Sequence, residues 1–296
     1  MGSRTAQDRD PHCRLVRFET ADDVALAGAL FESRTPRALL WMHGTGGASV
    51  FTSRRTNLVA APLLAHGIAF FPFDNRGAQI VRRAGRKLGG SAFEVIRDCV
   101  LDVDAAAREL RRRGYRELYL AGHSTGANKV ALYDRLKPRN VFKRYVLLAG
   151  GDDTGLMHVE LGPRRFRALL AKARAMIRAR HGDELMPVLA EAAWPGGLMS
   201  WRAFYDVANP DGDYNVFPFH DATRGRRPWA AVRGIRKPAL YLYGDRDEYE
   251  PDVAALAQHI GPRAEIAVLE DADHAFSGRE GEVGELMAAW LTEETG

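Results

Sequence analysis

Cysteine is almost absent: only Cys13 and Cys99 occur in 296 residues. One lies in the polar N-terminal stretch and the other in a helical pattern. A structural disulfide is therefore not expected, and a reducing, cytoplasmic setting suits the chain. No apolar run approaches the roughly 20 residues that span a bilayer, which argues against an integral membrane segment. Met1 to Cys13 has no apolar h-region, so no secretory signal is expected, and residues 1–14 read as a flexible N-terminus. Ala6 stands where a myristoylation motif wants Ser or Thr, so lipidation is not expected either. Zinc-ligand spacing, tight His/Asp/Glu clusters and basic motifs interleaved with aromatics are all lacking. Neither a metal, another cofactor nor a nucleic acid partner is expected, since a net charge of +4 is mild for this length.

What is present is the composition of an ordinary globular chain. Hydrophobic residues make up 46% and charged residues 27%, enough for one large α/β domain or two smaller ones. Leu15 to Phe18 and Val24 to Phe31 flank an Asp-rich turn and predict an antiparallel hairpin. Continuous apolar runs then predict strands buried on both faces: Ala38–Met42, Ile68–Phe73, Glu117–Ala121, Tyr145–Ala149, Pro238–Tyr243 and Ala264–Leu269. Helical patterns separate them over Arg54–Ala65, Ala92–Arg113, Thr125–Leu136 and Val253–Ile260, and a last helix covers Glu280–Leu291. Ser91 with Glu94 reads as a capping box for the second of these. Alternating β and α elements predict a mostly parallel, doubly wound sheet with an antiparallel N-terminal hairpin.

The alternation stops between Thr154 and Arg236, where the patterns are mostly helical. The expected organisation is a core of residues 15–153 and 237–292 with residues 154–236 inserted as a helical cap. In such sheets the site collects at the carboxyl ends of the strands. The loops holding His43, Asp74, Ser124, Asp152, Asp247 and His274 all follow predicted strands.

Gly122-His123-Ser124-Thr125-Gly126 sits between a predicted strand and a predicted helix, the strand–turn–helix setting of a G-x-S-x-G nucleophile elbow. A serine hydroxyl needs a general base, and the base needs an orienting carboxylate. His274 is the candidate base, because His220 lies in the insertion and His259 in a short helix. Asp247 is the candidate acid; Asp245 reads as a turn residue, and Asp152 or Asp153 is a substitute. Asp271 and Asp273 are too close in sequence to His274. A tetrahedral oxyanion needs two N–H donors, expected from the backbone of Thr125 and of Thr45, with Gly46 the alternative to Thr45.

Taken together, His43-Gly44, Asp74-x-Arg76-Gly77, Gly122-x-Ser124-x-Gly126, Gly244-x-x-Asp247 and Asp273-His274 resemble the α/β-hydrolase superfamily over residues 15 to 292. The resemblance implies the chain order Ser, Asp, His for the triad, acylation of Ser124, and hydrolysis by a water that His274 activates. A narrower set is similar to a poorly characterised branch found mainly in fungi and bacteria, with a siderophore-ester hydrolase among its members. It comprises His123–Gly126, Trp201–Tyr205 with Gly212-Asp213-Tyr214, and Gly244–Tyr249. The implied activity is serine-dependent hydrolysis of a carboxylic ester. Transfer of the acyl group to another acceptor and a non-catalytic binding role on the same scaffold are the alternatives.

Candidate substrate contacts are His43, Gly44, Gly46 and His123 near the serine, with Trp201 and Tyr205 from the insertion. Trp194, Met199, Phe204 and Phe217 would complete an apolar acyl pocket. Arg164 to Arg180 carries seven basic residues and no acid, with Phe166, Leu169, Leu170, Ala173, Met176 and Ile177 at helical spacing. A solvated face is the plain reading; attraction of an acidic substrate or partner is the sharper one. The expected partner is a small acyl substrate. Its identity and the oligomeric state are not encoded in any motif.

Overall fold

The computed structural model describes residues 11–45, 49–51, 53, 55–84, 87–189, 194, 197–249 and 251–293. In chain order the elements are β1 (Arg14–Glu19), β2 (Ala25–Leu30), β3 (Arg37–Met42), α1 (Arg55–Ala65), β4 (Ala69–Asp74), β5 (Arg82–Ala84) and β6 (Lys87–Gly89). They continue with α2 (Cys99–Arg112), β7 (Glu117–His123), α3 (Thr125–Leu136), β8 (Phe142–Leu148), α4 (Asp153–Arg178), α5 (Trp201–Ala208) and α6 (Ala230–Gly234). The chain closes with β9 (Ala239–Gly244), α7 (Val253–Ala257), β10 (Ala264–Leu269) and α8 (Glu280–Thr292).

Eight strands form one sheet in the order β1-β2-β4-β3-β7-β8-β9-β10. β1 and β2 run antiparallel to their neighbours, and the remaining pairs are parallel. β3, β4, β7 and β9 are buried almost throughout because helices cover both faces. Strand alternation sends Leu40, Met42, Leu118 and Leu120 to the face packed by α2 and α3. It sends Leu39, Trp41, Tyr119 and Ala121 to the opposite face, packed by α1 and α8. Arg14 was expected to precede the folded part, yet it opens β1 opposite Leu30; residues 1–10 lie outside the described part.

Two expectations need correction. The predicted helix from Ala92 begins only at Cys99; two single 3-10 turns, Ser91–Phe93 and Ile96–Asp98, precede it. Glu94 does not close a capping box. It is buried, with its Oε1 2.6 Å from the equally buried Lys129 Nζ, and its extended backbone interrupts the helix. A buried carboxylate beside its countercharge outweighs a surface cap. β5 and β6 pair with each other as a short antiparallel ribbon, with Arg82 opposite Gly89.

Between β8 and β9 no segment among the described residues joins the sheet. α4 is bent at Gly162, whose φ of 72° and ψ of 153° are non-helical and which precedes Pro163. Proline removes one helical hydrogen bond and pushes the residue before it out of helical geometry, which accounts for the bend. The first half of α4 faces the site; the second carries the basic run.

Candidate active site

Ser124 is the residue before α3, a position where serine ordinarily caps a helix. Its side chain makes no cap hydrogen bond. The hydroxyl instead lies 2.9 Å from His274 Nε2, and the backbone takes φ 57° and ψ −130°. Such a conformation costs an L-residue about 1–3 kcal/mol and persists only where its surroundings impose it. Here they do. The Ser124 N–H donates to Leu148 O at 2.9 Å, while the two elbow glycines admit backbone on either side. A Cβ on Gly122 would stand 2.1 Å from Gly126 O, and one on Gly126 would stand 2.3 Å from Met42 O. Close approach of backbone, not a positive φ, is what demands glycine at both.

His274 lies in the loop after β10, and its Nδ1 is 2.9 Å from Asp247 Oδ2 in the loop after β9. With Nδ1–H donating to that carboxylate, Nε2 is left to accept the Ser124 proton. Asp247 also accepts from the Tyr249 N–H at 3.0 Å and is buried. Asp245 takes the turn role: its N–H donates to Leu269 O, and its carboxylate accepts from the Ala272 N–H. Glu248 accepts from the His274 N–H. The structure thus brings Ser124, Asp247 and His274 into one hydrogen-bonded line from three strand ends.

His123 lines the same site and has a visible task. Its Nε2–H donates to His274 O at 2.7 Å, and its Nδ1 accepts from Arg55 Nη1 at 3.2 Å. Burial, aided by the Arg55 charge, holds its pKa well below the ordinary histidine value, so the ring is neutral. His43 is also neutral: burial and the Lys129 charge push its pKa down to about 3. Its Nδ1–H donates to Gly44 O, and its Nε2 accepts from the Asn75 N–H at 3.1 Å. It therefore ties the β3 loop to the β4 loop.

Gly44 packs directly on Ser124, since a Cβ there would lie 2.8 Å from Ser124 Cβ. Thr45 meets Thr125 hydroxyl to hydroxyl and lies 3.2 Å from Tyr214 OH. Gly46 lies outside the described residues. The Thr125 N–H is in the first turn of α3, where helix amides have no intrahelical acceptor and attract negative charge.

These groups open on a cavity of about 410 Å³. One wall is apolar, built from Trp41, Val50, Val59, Phe70 and Pro72 between α1 and the sheet. The other comes from Leu156 and Met157 of α4 together with Trp194. Arg55, Asp153, Glu160 and Tyr249 supply the polar lining. Burial pushes the Asp153 carboxyl up to about 6. Among the described residues, no group of three His, Cys, Asp or Glu side chains could hold a metal ion.

Trp201 and Tyr205 do not line this cavity. Trp201 is buried where α5 packs, with Lys172 Nζ 4.9 Å from its ring centroid, and Tyr205 packs on the same core. Met199, Phe204 and Phe217 are likewise core residues; of the predicted aromatic lining only Trp194 reaches the cavity. Aromatics at helical spacing serve packing and ligand contact equally well, so spacing could not separate them. Sequence reasoning missed Trp41 and Phe70, which alternation places on the α1 face near strand ends, and it missed Arg55. None of Arg164 to Arg180 lines the cavity among the described residues.

The fold and site define a class, and comparison with known proteins agrees. Residues 11–285 match the model of the alpha/beta hydrolase family, and the chain belongs to that family. Among solved structures, Est1E from Butyrivibrio proteoclasticus with bound ferulic acid is 16% identical with a TM-score of 0.63, covering 93% of this chain and 98% of its own. An esterase from Pyrococcus furiosus is 18% identical with a TM-score of 0.58, covering 98% and 96%. A hydrolase from Agrobacterium vitis is 18% identical with a TM-score of 0.62, covering 96% and 100%. No curated protein matches the sequence. At these identities the likeness is one of fold. Among the described residues, no helix is long and apolar enough to cross a membrane.

Proposed function

We propose that the protein is a serine hydrolase that cleaves a carboxylic ester through an acyl-enzyme on Ser124. The observation carrying this reading is the hydrogen-bonded line Ser124–His274–Asp247, with both links at 2.9 Å. Ser124 Oγ attacks the carbonyl carbon while its proton passes to His274 Nε2. The C–O bond to the alcohol then breaks as Nε2 returns that proton to the leaving oxygen. A water attacks the acyl carbon, its proton goes to Nε2 and on to Ser124 Oγ, and the carboxylic acid leaves. Asp247 holds the imidazole in the required tautomer and stabilises the imidazolium. The backbone N–H groups of Thr125 and Thr45 receive the oxyanion.

The aromatic wall of Trp41 and Phe70 supports an apolar or aromatic acyl group, in keeping with the ferulic acid held by the Butyrivibrio neighbour. Asp153 and Glu160 in the lining, where the cation Arg55 is engaged by His123, and the absence there, among the described residues, of the basic half of α4 favour an uncharged substrate over the acidic one that the arginine run suggested. Residues 154–236 act as the cap on a core of residues 15–153 and 237–292, and that cap sets substrate choice. A fluorophosphonate probe tests the mechanism: it should label Ser124 and fail to do so in His274→Ala. Equal labelling of the variant would overturn the assignment of the base.

A further inference from the structure

Asp153 has no place in the hydrolytic scheme above, yet it is a carboxyl in the cavity beside the nucleophile. The helix it opens does not need it, because the N-cap of α4 is supplied by Asp152, which accepts from the Gly155 N–H at 2.7 Å. Asp153 instead accepts from the Thr125 hydroxyl at 3.0 Å. Thr125 Oγ1 touches Thr45 Oγ1, which in turn is 3.2 Å from Tyr214 OH. Four separate stretches meet here: the β3 loop, the elbow, the start of α4 and the insertion before β9.

Each hydroxyl has one proton to give, so the direction of this chain is set at the Asp153 end. The Thr125 proton goes to the carboxylate, the Thr45 proton must then go to Thr125, and the Tyr214 proton to Thr45. All three are spent inside the chain, which leaves no side-chain hydroxyl of the group to donate to a substrate. What the chain does is cross-link Thr45 to Thr125, the two residues whose backbone amides would face the oxyanion.

We propose that Asp153 is a positioning residue which, through Thr125, Thr45 and Tyr214, fixes the separation of the two backbone oxyanion donors. This rests on the acyl-enzyme reading of the preceding subsection. Positioning errors of the order of an ångström cost about 100-fold in rate. Removing the link should therefore lower kcat and leave KM nearly alone, because the donors matter chiefly in the transition state.

The test compares Thr45→Val, which keeps shape and removes the hydroxyl, with Thr45→Ser, which keeps the hydroxyl, and with Asp153→Ala. On a p-nitrophenyl ester, Thr45→Val and Asp153→Ala should lose about 10- to 100-fold in kcat with KM within threefold. Thr45→Ser, which restores the hydroxyl, should recover most of the kcat that Thr45→Val loses. Inhibition by a trifluoromethyl ketone, whose adduct carries the oxyanion, should weaken in step with kcat. If Thr45→Val keeps kcat and ketone inhibition within threefold of wild type, the proposal fails, whether or not Asp153→Ala folds. Ser124→Ala separates the two levels: turnover surviving in that variant overturns the acyl-enzyme reading itself. Turnover lost in Ser124→Ala but kept in Thr45→Val overturns only the cross-link.

Discussion

Replacing Gly44 by alanine should damage catalysis far more than the fold. A Cβ at this position would stand 2.8 Å from Ser124 Cβ, 3.1 Å from His123 O and 3.3 Å from Ser124 Oγ. Ordinary carbon contacts begin near 3.5 Å, so the loop and elbow must part by about 0.7 Å. The elbow is poorly placed to yield, because the Ser124 N–H is held by Leu148 O and its carbonyl by the Ala127 N–H. Movement therefore falls on the His43–Thr45 loop and on the Ser124 hydroxyl itself. A misplacement near 1 Å can cost about 100-fold, so we expect a 10- to 100-fold loss of kcat. Overpacking at one site should cost about 1–3 kcal/mol of stability, a few degrees in Tm. The assay is ester turnover alongside thermal unfolding. Gly281→Ala in α8, where a Cβ meets nothing within 4 Å, serves as the neutral control. A Gly44→Ala enzyme with kcat within threefold of wild type and an unchanged Tm would refute the claim that the loop is seated on Ser124.

Two further outcomes follow from buried groups. Lys129→Met removes one partner of a buried ion pair whose Nζ–Oε1 distance is 2.6 Å. It should destabilise the fold by about 3–5 kcal/mol in urea titrations, and Lys129→Met with Glu94→Leu should recover most of that; a single variant within about 1 kcal/mol of wild type contradicts it. His43 is held neutral, with a folded pKa of about 3 against an ordinary 6.5. Between those values the unfolded chain binds a proton that the folded one refuses. Stability is complete above the upper value and falls with pH across the window, by at most about 1.4 kcal/mol per pH unit. His43→Gln should flatten that slope in urea midpoints measured from pH 7 to pH 4, and parallel curves would contradict the assignment.

How much of this was legible in the sequence depends on which force fixed each part. The parallel strands were readable because helices bury both their faces, which turns them into continuous apolar runs such as Ala38–Met42 and Ala239–Tyr243. The placements of Ser124, His274 and Asp247 were readable because each follows such a run. Glu94 was misread because its partner, Lys129, is distant in sequence and the capping box is local. Trp201 and Tyr205 were misplaced because an amphipathic helix shows which residues share a face, not whether that face meets a neighbour or a ligand. The cavity wall of Trp41 and Phe70 was invisible for the converse reason: residues of a strand buried on both sides look alike until the covering helix leaves a gap. The sequence offers Asp153 only as a substitute acid, since nothing local announces that Thr125, Thr45 and Tyr214 converge on it.

The central claim is that Ser124 is the nucleophile. The most direct measurement is steady-state turnover of an activated ester by Ser124→Ala, with folding confirmed by circular dichroism and an unchanged Tm. The account predicts a loss on the order of a million-fold in kcat, as when a catalytic serine is removed from a triad. Turnover by the folded variant within tenfold of the wild type would contradict it.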